Sequence, residues 1–153
     1  MEFAVALPVL ILLVGGILFL GRGYSYAIAT SDAARDGARY VAGKTSLTDG
    51  PGLPLMCNLI IADLAAVVTA PNISCPTLVG HAPPFVSGTD YATPTGGQVV
   101  VAVYCGTSLN CVGTVNPRYQ SEIDVYVYYG FNDLNIFGGR ITISGSSKTT
   151  ASW

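Results

Sequence analysis

Charged residues are scarce in this chain. Seven Lys+Arg and nine Asp+Glu amount to 10% of 153 residues, whereas 50% of the residues are hydrophobic. An average soluble protein carries about 25% charged residues, so the composition argues against a free globule with an ionic surface. The net charge of −2 excludes the basic footprint of a nucleic-acid-binding protein. Because high hydrophobicity also argues against disorder, we expect a protein of a membrane, an assembly, or both.

Residues that commonly carry catalysis are equally rare. The one histidine, His81, lies in a proline-rich VGHAPPF segment with no nucleophile motif nearby, and we expect it to face solvent in a loop. Glu122 and Asp124 share one face of a predicted strand. They could form a carboxylate pair or bind a cation with Asp133, but a solvated strand face is the preferred interpretation. We therefore predict no enzymatic activity, no cofactor and no metal site.

Residues 3–21 form a long apolar run, FAVALPVLILLVGGILFLG, without an ionisable side chain. About 20 apolar residues at a helical rise of 1.5 Å cross the ~30 Å hydrocarbon core of a bilayer. A removable signal peptide is disfavoured, because no Lys or Arg precedes the run and no A-x-A cleavage site follows it. This pattern predicts a membrane anchor over 3–21.

Helical periodicity continues through residues 22–43 but becomes amphipathic. Asp32 with Arg35, and Asp36 with Arg39, are spaced to support a helix, and Gly43 is a plausible stop. We predict one helix of about 40 residues, roughly 60 Å long, whose outer half packs against the rest of the chain. The predicted packing stripe consists of small or apolar residues at steps of three and four: Tyr24, Ala27, Ser31, Ala34, Ala38 and Val41.

Pro8, Gly15 and Gly16 weaken helical hydrogen bonding within the apolar run. Either the membrane helix merely tolerates them, or the segment from Pro8 to Gly16 lengthens when the protein leaves the bilayer. Glu2 is costly to bury unless it is paired. We expect it to be interfacial in a single copy, and in a bundle of copies to pair with the Met1 amine of a neighbour.

These motifs together resemble the TadE/TadG-like pilin family of Tad-type type IV pilus systems. The resemblance covers about 43 residues: Glu2-Phe3-Ala4, Pro8, Gly16, Gly21-Arg22 and the block from Ala33 to Tyr40. It recurs weakly in the strands predicted at 125–129 and 141–144. The resemblance implies a type IV pilin-like fold and a role as a pilus subunit.

Family precursors carry a short basic leader, which a prepilin peptidase removes after a glycine a few residues before the glutamate. Only Met1 precedes Glu2 here. The expectation is either a mature form or insertion without such cleavage.

A second unit is predicted over 44–153, an α+β head domain outside the cell. It begins with a polar connection and a short, mostly buried helix over 55–69, followed by a loop over 70–98. The apolar runs and period-two alternation then predict an antiparallel sheet of about four strands, laid on the outer half of the long helix. The strand candidates are 99–104, 111–115, 123–129 and 141–144.

Four cysteines without C-x-x-C spacing make a zinc site improbable. In an outward-facing domain they predict two disulfides, and three connectivities are open. The local pairing, Cys57 with Cys75 and Cys105 with Cys111, is favoured. Four reduced thiols are the alternative if the domain faces the cytosol.

Sugar attachment is a weaker prediction. Asn72-Ile73-Ser74 is an N-glycosylation sequon on a predicted surface loop. O-linked sugars on the stretch from Ser87 to Thr95 are equally conceivable. Either would make the chain a glycoprotein and would help a surface poor in charge to stay soluble.

The leading functional hypothesis is a pilin that polymerises through its apolar helix into an extracellular filament for adhesion. It would wait in the cytoplasmic membrane and be stacked by the pilus assembly machinery, with Met1, Glu2, Pro8, Gly15 and Gly16 forming the subunit contacts. The alternative is a non-polymerising minor pilus component or a singly anchored surface adhesin. A third hypothesis, an anchored hydrolase, lacks a site.

Overall fold

A long helix, a short helix and a four-stranded sheet make up the part of the chain that the computed structural model describes, residues 3–42, 52–68, 73–106, 122–131 and 141–150. The sheet has the strand order β1-β2-β3-β4. The predicted α+β class with a long N-terminal helix is confirmed. In chain order, the elements are α1 (Phe3–Ala42), α2 (Gly52–Leu64), β1 (Ile73–Val79), β2 (Val99–Cys105), β3 (Glu122–Phe131) and β4 (Ile141–Thr150).

The outer half of α1 packs against the sheet and α2, as predicted, but on a slightly rotated face. Ala34, Ala38 and Val41 of the predicted stripe are buried, whereas Tyr24 is 71% exposed. Thr30, which was not in the stripe, is buried, and its hydroxyl donates to the carbonyls of Tyr26 and Ala27 at 3.0 and 3.1 Å. This internal bonding satisfies the hydroxyl, so the helix can turn Thr30 towards the sheet.

Gly145 of β4 lets helix and sheet backbones approach closely. A Cβ at this position would overlap the backbone of Thr30 and Ser31 in α1. Gly145 is buried although its strand neighbours Ser144 and Ser146 are exposed. The helix therefore rests on β4 at a point where only glycine leaves room.

The sheet is mixed rather than wholly antiparallel. β3–β4 is antiparallel as predicted, and β2 pairs directly with β3, also antiparallel, but β1 pairs with β2 in parallel. β1 also lies within 70–98, which was predicted to be a loop. The several prolines of 70–98 favoured a loop. One of them, Pro76, lies within β1, which is an edge strand, where proline is tolerated, and the pairing shifts register between Ser74 and Thr77.

Both faces of the central strands are covered. Every residue of β2 is buried, and β3 is buried along almost its whole length, although the period-two alternation over 123–129 is typical of a half-buried strand. One face packs on α1 and α2, and the other packs beneath Phe85 and Tyr91. β4 begins at Ile141 as predicted but continues to Thr150. The strand predicted over 111–115 lies outside the described residues.

α2 is shorter and less buried than predicted. The 55–69 prediction becomes Gly52–Leu64, because the apolar residues after Leu64 lack tertiary cover along much of their surface. Met56, Cys57, Ile60 and Leu64 form its buried face, while Leu55 and Leu59 are about 40% exposed. α2 is therefore an amphipathic helix that packs on α1 along one face.

A disulfide joins Cys57 of α2 to Cys75 of β1, as the favoured pairing requires. Cys105 is also disulfide-bonded. Its predicted partner, Cys111, lies outside the described residues. The first bond fixes α2 against the edge strand of the sheet.

Replacing Gly145 with alanine is expected to destabilise the fold by about 2 kcal/mol or more, because the new methyl group forces α1 away from β4. Denaturant unfolding of the full chain in detergent micelles measures this loss. Gly80→Ala is the matched control, since a Cβ at Gly80 meets no atom within 4 Å. Equal stability of the two variants would contradict the close helix–sheet contact.

Removing the Cys57–Cys75 bond by Cys57→Ser with Cys75→Ser is expected to lower the free energy of unfolding by about 3 kcal/mol. This value follows from the loop entropy of the 18-residue separation. Urea titration checks it. The single variant Cys57→Ser should lose a similar amount, because it opens the same bond, and a stability equal to wild type would contradict this role.

Candidate membrane and assembly surface

The inner half of α1 is an apolar rod that the described part of the chain leaves uncovered. α1 is long and apolar enough to cross a membrane, and none of its most apolar window is buried. The exposed side chains point in every direction around the helix, so no single face is protected. The large hydrophobic residues from Leu7 to Leu20, at 50–76% exposure apart from the partly buried Phe19, are Leu7, Val9, Leu10, Ile11, Leu12, Leu13, Val14, Ile17, Leu18 and Leu20.

Three of the predicted contact residues lie on this rod. Pro8 is inside the helix, and a Cβ at Gly15 or Gly16 would meet no atom within 4 Å. Gly16 lines a shallow apolar groove together with Val9, Leu12, Leu13, Ile17 and Leu20. The other two predicted contacts, Met1 and Glu2, lie outside the described residues.

An aromatic cluster fixes the point at which α1 meets the sheet. Tyr26 stacks on Tyr129 with ring centroids 4.8 Å apart, and it meets Phe131 edge-on at 5.4 Å. Phe19 also meets Phe131 edge-on at 5.4 Å. Such pairs contribute about 0.5–1.5 kcal/mol beyond their buried area. The packed part of α1 therefore begins at Phe19, inside the predicted anchor.

Beyond this cluster, α1 and the end of α2 form an open groove. Its walls are apolar, and three carboxylates lie on it: Asp32 and Asp36 from α1, and Asp63 from α2. Burial raises the pKa of Asp63, and the negative charges of Asp36 and Asp32 raise it further. Arg39 lies 3.9 Å from Asp36, in the predicted i,i+3 pair. Asp63 was not among the predicted site residues, although an isolated charge in an apolar helix is a signal that could have indicated it.

A segment over residues 80–93, which we term the strap, covers the second face of the sheet. Tyr91 stacks on Tyr128 at 4.0 Å, and Phe85 meets Tyr126 edge-on at 4.9 Å. The strap explains why Asp124 is only 3% exposed, which corrects the prediction of a solvated face at that residue. Burial, followed by the nearby Glu122 charge, raises the pKa of Asp124.

Glu122 and Asp124 lie together on β3, as predicted, and Lys148 of the neighbouring strand β4 lies opposite Asp124. Lys148 Nζ donates to Glu122 Oε1 at 2.5 Å, and this contact lowers the pKa of Glu122. A polar pocket lies beneath the strap residues Ala82 and Pro83. Within the part of the chain that the structure describes, no group of three His, Cys, Asp or Glu side chains could hold a metal ion. Asp133 lies outside that part.

His81 is exposed on the strap, as predicted, and its side chain joins the two ends of the strap by contacting Asp90. Its Nε2 lies 2.9 Å from Asp90 Oδ1, and its Nδ1 donates to the carbonyl of Ala82 at 2.9 Å. Asp90 Oδ2 in turn accepts the Val86 N–H at 2.6 Å. The Ala82 carbonyl and Asp90 raise the pKa of His81, while the Val86 N–H and His81 lower that of Asp90.

The structure describes only one of the two predicted glycosylation sites. Asn72 lies outside the described residues, so its sequon stays a prediction. On the strap, the hydroxyls of Ser87 and Thr93 are 2.6 Å apart, and both residues are exposed. O-linked modification of that stretch also stays a prediction.

Residues 1–39 match the sequence model of a family described as TadE-like protein. The match includes the apolar half of α1 and most of its outer half, and it confirms the resemblance predicted from the sequence. TadE-like proteins are a pilus-associated structural family, and the similarity of this chain to them is confined to residues 1–39, the region of α1. Comparisons with curated proteins and with solved structures give no match to the chain.

The strap is expected to be held most firmly between about pH 4 and pH 6.5. His81 contributes fully below its ordinary pKa of 6.5, and the contribution disappears as the pH rises through its higher folded value. Asp90 contributes stability above its ordinary pKa of 3.8. That contribution is lost as the pH falls through the lower pKa that Asp90 has in the folded protein. Hydrogen exchange of the strap amides, corrected for intrinsic rates, should therefore show more protection at pH 5.5 than at pH 8.

His81→Gln should remove that difference between the two pH values, while the amides of β2 serve as the internal control. An unchanged pH dependence in the variant would show that His81 does not hold the strap.

Proposed function

We propose that this chain is a pilin, a subunit of a Tad-type type IV pilus filament that polymerises through the apolar half of α1. One observation carries the proposal: a continuous helix is packed against its own sheet from Phe19 outwards, and its inner half is apolar and uncovered. The match of residues 1–39 to TadE-like proteins supports it. The apolar half needs lipid before assembly and other copies afterwards.

The exchange of lipid for neighbouring helices conserves apolar burial, which is worth about 25 cal/mol per Å² in either setting. Repeated addition requires a heterologous contact that does not close into a ring. We assign this contact to Met1, Glu2, Pro8, Gly15 and Gly16. Glu2 would then pair with the Met1 amine of the neighbouring copy.

The chain in this proposal has two parts, the helix over 1–43 and an extracellular head over 44–153. It is anchored in the cytoplasmic membrane and then transferred by the assembly machinery to the surface filament. The Cys57–Cys75 disulfide supports an oxidising location for the head, since cytosolic proteins rarely keep such bonds. Sugars on Asn72 would be compatible with that location.

The second candidate function is a minor pilus component or a singly anchored adhesin. The same exposed rod would serve as a permanent membrane anchor, so the two functions differ in copy number and in fractionation. A major subunit leaves the membrane with the filament, whereas a singly anchored protein stays in the detergent-soluble membrane fraction.

Filaments sheared from cells that express the full chain are expected to contain it as a principal protein. Glu2→Gln should reduce the filament-bound fraction at least tenfold, because breaking a buried ion pair costs a few kcal/mol and about 1.4 kcal/mol already corresponds to a factor of ten. Negative-stain microscopy and quantitative immunoblotting of shear and membrane fractions measure this. Glu122→Gln is the control, since this carboxylate lies on the head and pairs with Lys148.

Absence of the chain from sheared filaments under every growth condition would exclude a major subunit. Traces at filament ends, with most of the chain in the membrane, would identify the minor component. Equal incorporation of Glu2→Gln and wild type would exclude the Glu2 pairing alone.

A further inference from the structure

The polar pocket beneath the strap plays no part in polymerisation through α1. It lies on the second face of the sheet and has a volume of about 220 Å³. Two neighbouring strands form its floor, and the strap forms its cover. Its lining residues are Ala82 and Pro83 of the strap, Glu122, Asp124 and Tyr126 of β3, and Ser146, Ser147 and Lys148 of β4.

The register of the sheet brings the polar side chains of the floor together. In the antiparallel β3–β4 ladder, Asp124 pairs directly with Lys148, and Tyr126 pairs directly with Ser146. Side chains opposed in this way lie on the same face, with Cβ atoms roughly 5 Å apart. Glu122 lies two residues from Asp124 on that face, and its Oε1 accepts a hydrogen bond from Lys148 Nζ. Two carboxyls, an ammonium, a phenol ring and a hydroxyl therefore line one small area.

The cover of the pocket is fixed by contacts on both sides of Pro83. On one side, His81 Nδ1 donates to the carbonyl of Ala82 at 2.9 Å. On the other side, the Phe85 ring meets the Tyr126 ring edge-on with centroids 4.9 Å apart. The pocket is therefore pre-formed, which lowers the ordering cost of binding.

The floor offers hydrogen-bond donors and acceptors in a site that is largely removed from water. Asp124 is only 3% exposed, and its carboxyl shares a hydrogen bond with Glu122. A carboxylate accepts at about four positions and an ammonium has three donors, so the contact between Glu122 and Lys148 uses a small part of this capacity. A ligand whose adjacent groups both donate and accept matches such a floor.

Charge in the pocket disfavours ionic ligands. Lys148 already supplies a cation to Glu122, so a cationic ligand would compete with it. An anionic ligand would meet two carboxyls, and burial together with the Glu122 charge already raises the pKa of Asp124. Because like charges placed together at a binding site are strongly unfavourable, the pocket favours a neutral, polar ligand.

The size and the apolar part of the lining narrow the class further. A volume of about 220 Å³ is below the ~300 Å³ at which pockets for drug-sized ligands begin, so a single ring fits best. Ala82, Pro83 and the Tyr126 ring supply apolar surface, and the charged side chains supply partners for polar substituents. A pyranose sugar has this combination, with C–H groups on its faces and adjacent hydroxyls at its rim.

We propose that the polar pocket binds one neutral pyranose unit, with two adjacent hydroxyls bonded to Asp124 and Lys148 and the ring beneath Pro83. Hydroxyls on neighbouring carbons match an acceptor and a donor that lie opposite each other across the β3–β4 ladder. This assignment does not depend on polymerisation, so it stands or falls separately from the pilin function.

Saturation-transfer NMR on the full chain tests the site, in micelles of a detergent without a sugar headgroup. The probes are the methyl α-pyranosides of glucose, mannose and galactose, and at least one is expected to bind saturably. Tetrahydropyran-2-methanol has the same ring without adjacent hydroxyls and should receive no saturation. Binding of none of the three sugars, equal transfer to the control ring, or binding of methylammonium or acetate in place of the sugars would overturn the proposal.

Variants of the floor locate the binding. Lys148→Met removes a charged hydrogen-bond donor and should weaken sugar binding about tenfold. It should leave thermal stability nearly unchanged, because the Lys148 side chain is 64% exposed. Asp124→Asn keeps the shape of the floor and should weaken binding several-fold. Asp36→Asn is the control, since this carboxylate lies on α1, across the sheet from the pocket. Equal binding by wild type and all three variants would overturn the assignment.

A pyranose unit can reach the pocket as a free sugar or as the end of a glycan on a surface. A soluble polymer that carries the best-binding sugar through C1 separates these sources. Retention of the polymer by the full chain, with release by the free methyl glycoside, would support recognition of glycan ends. Binding of the free glycoside without retention of the polymer would support a site for free sugar.

Discussion

Among the residues that the structure describes, none covers the apolar inner half of α1, and this exposed half determines what surroundings the protein needs. The apolar side chains from Leu7 to Leu20 would be costly to leave in water, so the protein needs a membrane or other copies. The outer half shows the opposite behaviour, because Thr30, Ala33 and Ala38 are buried against the sheet and α2. One helix therefore carries two kinds of surface, and the aromatic cluster at Phe19 and Tyr26 separates them.

The features that could be predicted from the sequence are those that a local pattern determines. A run of apolar residues followed by an Ala-rich repeat predicts α1 almost to its last residue, and the dense valine run predicts β2. β1 was not predicted because it contains Pro76, and proline within a strand is tolerated only where its position needs no backbone N–H hydrogen bond. Whether a strand lies at the edge depends on the whole sheet and cannot be read from a local pattern. The packed face of α1 differs slightly from the predicted face, because Ala33, Ala34 and Ala38 are compatible with more than one helical stripe.

The candidate surfaces also divide into features that a local sequence pattern determines and features that depend on tertiary contacts. The apolar anchor and its glycines are visible in the sequence because they need no tertiary partner. The burial of Asp124 depends on the strap, which lies across β3 through stacked rings distant in sequence. The groove depends on Asp63 of α2 coming close to Asp32 and Asp36 of α1, and no spacing rule relates two separate helices.

The aromatic contact of Phe19 with Phe131 has a mechanical consequence. α1 is continuous from Phe3 to Ala42, and the sheet packs against it from Phe19 outwards. Within the described residues, no flexible linker therefore separates the rod from the sheet. The orientation of the sheet about the long axis of α1 is therefore fixed once the rod has taken up its position. The sheet, the strap and the groove keep a fixed direction relative to the rod, and torque applied to the rod is transmitted to the sheet.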